Sequence, residues 1–128
     1  MVTVLMDTNA LMMPVELNIR VFDELDRLLG LSQIDLITPQ AVHDELTALA
    51  DGSGTDAVAA SVGSDLAGRC RTVITDASYA DDAIVELAEA GDIDYVVTND
   101  APLRDRVLSR NVRVIGLRGE NTLRITEP

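Results

Sequence analysis

The sequence predicts a single α/β domain, with a central parallel sheet of about five strands and helices on both faces. Three observations carry this. Short β-branched runs alternate with longer stretches of helical periodicity, turn residues punctuate the junctions, and two of the apolar runs stop abruptly on carboxylates, Asp7 and Asp100. A chain of 128 residues is long enough for one core and short for two, so residues 1–128 are expected to form one domain.

The elements follow in order. Val2-Thr-Val-Leu-Met reads as a buried strand that delivers Asp7-Thr8-Asn9 to its carboxyl end. Ala10-Leu-Met-Met13 gives a turn or a single helical turn, ended by Pro14. Over 18–29, Val21, Phe22, Leu25, Leu28 and Leu29 recur at helical spacing, and Gly30 closes that helix. Residues 34–37 read as the second strand. Thr38 as N-cap and Pro39 at the first helical position then predict a helix over 39–49. After a polar loop at 51–55, an alanine-rich helix over 56–67 carries Val58, Val62 and Leu66 on one face, although Gly63 and Gly68 weaken it. Residues 72–75 are the third strand, followed by a helix over 81–90 with Ile84, Leu87 and Ala88 inward and Gly91 at its end. Residues 95–98 form the fourth strand, 101–109 a helix opened by Pro102, and 112–115 the fifth strand. The tail from 117 is expected to be irregular or a short extended coda.

Charge is the unusual feature of the composition. There are 22 acidic residues against 10 basic ones, every basic residue is Arg, and the net charge is −12. Such a balance argues against a nucleic-acid partner, because phosphate affinity rests mainly on cations. Its distribution argues otherwise: residues 1–100 hold four Arg and 19 acids, whereas residues 101–128 hold six Arg and three acids. The C-terminal quarter is therefore the basic surface. A lysine-free, Asp-rich chain also looks like a protein from an organism with molar internal salt, where carboxylates maintain solubility and screening blunts their repulsion of phosphate. The single cysteine, Cys70, has no disulfide partner within the chain and reads as a small buried residue. With no apolar run of membrane-spanning length and no basic flank or cleavage site at the N-terminus, a soluble cytoplasmic protein is expected.

The acids carry the chemistry. Asp7 and Asp100 both follow apolar strands, so a parallel sheet places both on its carboxyl edge, the edge where open α/β sheets bind ligands. If those strands are neighbours, the two carboxylates repel unless a hard cation lies between them. Each can equally be a turn residue or a helix cap. Glu45 borders the apolar stripe of its helix, where it either points outward or lies along the sheet edge. His43 and Asp44 belong to the exposed or border surface. Asp81 and Asp82 open a helix; one acid there suffices as a cap, and Asp82 is placed nearer the core with Asp81 capping.

With these positions in order, the chain resembles a PIN-domain nuclease over nearly its whole length. The resemblance lies in Asp7-Thr8-Asn9, His43-Asp44-Glu45-Leu46, Tyr79-Ala-Asp-Asp82 and Thr98-Asn99-Asp100, and it looks most like the archaeal branch related to ribosomal-RNA-processing nucleases; VapC-type toxins share the domain. It implies a metal-dependent endoribonuclease that hydrolyses RNA phosphodiester bonds with Mg²⁺ or Mn²⁺. The metal and catalytic roles fall to Asp7, Glu45, Asp82 and Asp100, with Asp81 an alternative or auxiliary ligand. Thr8, Asn9, Thr98 and Asn99 would orient ligands or substrate. Arg104, Arg106 and Arg110, on the helix after Asp100, are the candidates for substrate phosphate. With three aromatics and no cluster of them, stacking is expected to contribute little to affinity. An antitoxin or a ribosome-assembly partner is open, as is a homodimer, and no membrane is involved.

Rival readings are weaker. A HAD-type phosphatase would place a second acid where Asn9 stands and, like a response-regulator receiver, would use a lysine this chain lacks. A nucleotide-binding module would need a glycine-rich loop after the first strand, and no glycine precedes Gly30. A catalytically silent PIN scaffold in an RNA-processing or toxin–antitoxin complex is the alternative from a different class.

Overall fold

The structure is a computed structural model and describes residues 1–30 and 33–128. Its elements run β1 (Val2–Met6), α1 (Thr8–Glu16), α2 (Val21–Leu29), β2 (Ile34–Pro39), α3 (Gln40–Ala50), α4 (Thr55–Ala67), β3 (Arg71–Val73), α5 (Ala80–Ala90), β4 (Tyr95–Val97), α6 (Ala101–Leu108), β5 (Arg113–Arg118) and β6 (Thr122–Thr126). One sheet has the order β3-β2-β1-β4-β5-β6, parallel throughout except for β6, which pairs antiparallel with β5. The chain leaves β1 toward β2 and β3, then returns across to β4 and β5. Right-handed crossovers therefore put the helices of the two halves on opposite faces. Helix α4 packs with α1 and α3, and α5 packs chiefly with α6.

Several local expectations are corrected. Helix α1 runs through Pro14 instead of stopping there: Ala10, Leu11, Met12 and Met13 are buried, α1 packs on α4, and that burial outweighs the missing N–H. Helix α2 begins at Val21, and Asn18 takes a positive φ of 54° in the turn before it. Thr38 is not a cap: it is a buried residue of β2 whose hydroxyl donates to the Met6 carbonyl at 2.8 Å, and Pro39 stands at the N-cap. In α4 the inward face is Ala59, Ala60, Gly63 and Ala67, while Val58 is 56% exposed. Small residues face inward because the helices approach closely. A Cβ on Gly63 would lie 3.0 Å from the Leu11 carbonyl oxygen and 3.2 Å from Leu46 Cδ2. The glycine that weakened the helix in the sequence is what seats it on α1 and α3.

The tail folds back as β6. Gly119, at φ 65°, makes the turn after β5, and Arg118 pairs with Thr122 across the hairpin. Helix α2 clamps the strand: Glu24 accepts the Leu123 N–H at 2.8 Å, and Arg27 donates to the Leu123 carbonyl at 2.7 Å. Cys70 is a buried free thiol, as expected, and burial pushes its pKa up to about 11.

Candidate active site

The order of the sheet fixes the position of the site. Strand β1 is flanked by β2 on one side and β4 on the other, and the chain reverses direction across the sheet at the β1–β4 boundary, a topological switch point where ligands settle at the carboxyl ends of strands. Met6 is in register with Val97, and the Asp7 N–H donates to the Val97 carbonyl at 3.3 Å. Asp7 and Thr98 thus emerge side by side, and Asp100 follows two residues on.

Both strand-end acids cap helices. An Asp7 oxygen accepts the Ala10 N–H at 2.7 Å, and an Asp100 oxygen accepts the Leu103 N–H at 2.9 Å. The capping and cleft readings of these residues therefore hold together. The two strand ends are tied to each other as well: Asn9 Oδ1 accepts the Asn99 N–H at 2.9 Å, and Thr98 Oγ1 accepts the Asp100 N–H at 3.1 Å while its hydroxyl bonds to Asp7. Thr8 is buried, and its Oγ1 is the buried side-chain oxygen without a partner among the described residues.

A cleft of about 570 Å³ opens over these strand ends. Asp7, Glu45, Asp81, Asp82 and Asp100 all line it, as do Thr8, Asn9 and Arg106. Two further acids join them, Glu16 from α1 and Asp56 from the first turn of α4, so seven carboxylates face one guanidinium. Glu16 was hidden by reading Pro14 as a terminator: on an uninterrupted helix Thr8, Met12 and Glu16 are four residues apart and share one face, and all three line the cleft. Nothing in the sequence marks Asp56, whose ordinary role is that of an acid in a helix's first turn.

Asp7 is 2% exposed. Burial pushes its pKa up to about 7 against the Thr98 and Ala10 hydrogen bonds, with the negative charges of Asp81 and Asp100 adding to the rise. Asp81 is raised too, first by burial and then by Asp100, with Arg106 opposing. The expected division of labour between Asp81 and Asp82 is corrected: Tyr79 is the N-cap of α5 and no side chain caps that helix. Asp81 lies close enough to Asp7 to raise it and close enough to Asp100 to be raised by it, whereas Asp82 is half exposed and accepts from Arg106 at 2.9 Å.

The arginines separate likewise. Arg106 lines the cleft through its pairing with Asp82, and Arg110 is bound to Glu89 of α5 at 2.8 Å, outside the cleft lining. Arg104 stands with Arg124 of β6 in a small notch of about 50 Å³ whose wall includes Thr98, Asn99 and Asp100. Asp100 thus separates the acidic cleft from a basic notch.

The donor set suits a hard divalent ion, since it is all oxygen and strongly anionic. Among the described residues, however, no three carboxylate, imidazole or thiolate groups converge tightly enough to hold an ion by themselves. Mg²⁺ is compatible with such spacing because it keeps several waters and uses one or two carboxylates directly.

Sequence comparison assigns the fold to a family. Residues 4–120 match the family model of a PIN like domain. The chain belongs to the PIN-like domain family. Among solved structures, that of the PIN domain endonuclease Utp24 superposes on this PIN-like domain with a TM-score of 0.79 at 22% identity, covering 98% of this chain and 92% of that one. At that identity the likeness is one of fold. No curated protein matches this PIN-like domain by sequence.

Proposed function

We propose that this PIN-like domain is a metal-dependent endoribonuclease. The observation that carries the proposal is the cleft at the switch point, where six carboxylates surround buried Asp7 with a single arginine to offset them. Such a concentration of like charge is unfavourable in isolation and becomes favourable around a cation. Asp7, Asp81 and Asp100 would hold Mg²⁺ or Mn²⁺, with Glu45 and Asp82 completing the set through water or direct contact. A divalent cation there supplies Lewis-acid activation of water and neutralises charge on a phosphodiester. Thr98 and Asn9 keep the two strand ends, and hence Asp7 and Asp100, at a fixed separation. Arg106 faces the reacting phosphate, and Arg104 with Arg124 receives a neighbouring phosphate of the same strand in the notch beyond Asp100. Ribosomal-RNA processing and toxin-type cleavage would use the same chemistry, and a small antitoxin gene beside this one would mark the latter.

The test is cleavage of an end-labelled structured RNA in Mg²⁺ or Mn²⁺. Cutting is expected from the wild type and is expected to vanish in Asp7→Asn and in EDTA. Equal activity in wild type and Asp7→Asn would refute the proposal. A second reading, a scaffold without catalysis, is favoured by the spacing of the acids, no three of which meet on one ion among the described residues. It predicts metal binding without cleavage of any RNA.

A further inference from the structure

We propose that Arg106 and a divalent cation compete for Asp82, so that metal entry frees the guanidinium for the substrate phosphate and the Asp82–Arg106 pair acts as a gate on the cleft. This rests on the metal-dependent reading above and adds to it a regulation of the same site.

Among the described residues Arg106 is the only cation lining the cleft, against seven carboxylates. It is held there lightly. Its Nη2 donates to Asp82 Oδ1 at 2.9 Å, and no other nitrogen of its guanidinium has an acceptor among the described residues. Arg27 and Arg71, by contrast, each grip one carboxylate through two nitrogens. The Arg106 and Asp82 side chains are also 42% and 52% exposed, so water screens their attraction and a stronger counterion can displace either partner.

Helix α6 does not need this pair to stay in place. One turn further on, Arg110 donates to Glu89 of α5 at 2.8 Å and to the Arg106 carbonyl at 2.9 Å, and Leu103 and Val107 bury the inner face of the helix. Asp82–Arg106 and Glu89–Arg110 are thus two rungs between α5 and α6, and the second lies outside the cleft lining. The first rung can open while the second keeps the helices docked.

Charge sets the direction of the exchange. Arg106 opposes the effect of burial and of Asp100 on Asp81, so its field reaches the inner acids as well as its own partner. A divalent ion among those acids supplies the same counter-charge at twice the valence and repels a guanidinium beside it. Asp82 is then left to the ion, directly or through water. Arg106, on a long flexible stem, can meet a phosphate with the paired N–H geometry that it does not use on Asp82.

The gate predicts effects of opposite sign from one substitution. In titration calorimetry with Mn²⁺ alone, Arg106→Gln is expected to bind the metal roughly fivefold more tightly than the wild type, because a competitor is gone. Arg106→Lys, which keeps the charge, and Arg110→Gln are expected to stay near the wild-type value. In cleavage assays Arg106→Gln is expected to need less Mg²⁺ for half-maximal activity and yet to lose roughly tenfold in kcat/KM. In the isotope-labelled wild type, the Arg106 Nε–H resonance is expected to move with Mg²⁺ while that of Arg110 stays. Unchanged or weaker Mn²⁺ binding in Arg106→Gln, equal tightening in Arg110→Gln, or an Arg106 resonance indifferent to saturating Mg²⁺ would overturn the gate even if the enzyme cuts RNA. Tighter Mn²⁺ binding and a moving resonance without cleavage of any RNA would leave the gate standing and remove the nuclease reading.

Discussion

Replacing Asp7 by Asn should stabilise the metal-free protein above neutral pH while destroying its activity. The native carboxyl is raised from 3.8 to about 7, chiefly by burial. A carboxyl that binds its proton more tightly when folded than when unfolded favours the native state at low pH, and that advantage is lost as pH rises from about 4 to about 7. Three pKa units correspond to about 4 kcal/mol as an upper bound. Asn stays neutral at every pH and can still cap α1, since its oxygen can accept the Ala10 N–H and its amide can donate to Thr98 Oγ1. Allowing for relaxation and water entry, we expect roughly 2 kcal/mol above pH 7, which for a domain of this size is about 8 °C in Tm. Thermal unfolding followed by circular dichroism in EDTA at about pH 5 and about pH 8 measures this. The gap should widen with pH, and Mg²⁺ should close it by stabilising the wild type alone. A mutant that is less stable by the same amount at both pH values would refute the reasoning.

Other predictions address the remaining parts of the structure. Gly63→Ala should destabilise by about 1–2 kcal/mol in urea unfolding despite its better helix propensity, because the new methyl would meet the Leu11 carbonyl at 3.0 Å. Asp81→Asn should reduce Mn²⁺ affinity and cleavage more than Asp82→Asn, since Asp81 faces Asp7 and Asp100 while Asp82 is occupied by Arg106; the reverse order in titration calorimetry would count against the assignment. Arg124→Gln should change stability by less than about 0.5 kcal/mol, as it has no ion pair among the described residues, yet lower the salt dependence of RNA binding by about one unit of slope. With a net charge of −12, the melting temperature should climb with KCl into the molar range, and a flat response would argue against a salt-adapted surface.

The parallel sheet was legible because strands such as Val2–Met6 and Tyr95–Val97 are short, largely apolar β-branched runs, and because buried residues at helical spacing, such as Leu25 and Ile84, mark their helices. What was not legible depended on partners distant in sequence. Pro14 looks like a helix end until tertiary packing buries Met12 and Met13; Val58 looks like core until the tight seat at Gly63 demands small residues inside. The acids that end strands could be placed from the sequence, since a strand end has one address in a parallel sheet. Glu16 and Asp56 could not, because helix residues reach the cleft only through packing angles that no local pattern records. The pairing that sets Asp82 apart from Asp81 likewise involves Arg106, 24 residues away in the chain.

The starts of α1, α5 and α6 all meet this cleft: Thr8 and Ala80 line it, and Asp100 both lines it and caps α6. Each helix amino end carries roughly half a positive charge in its unpaired N–H groups. The cleft therefore has a cationic contribution that belongs to the main chain and is absent from any count of ionisable residues. It offsets part of the negative charge gathered there and leaves an attraction for phosphate that no arginine substitution can remove. Stripping the side-chain cations one at a time should accordingly lead to a residual RNA affinity rather than to none.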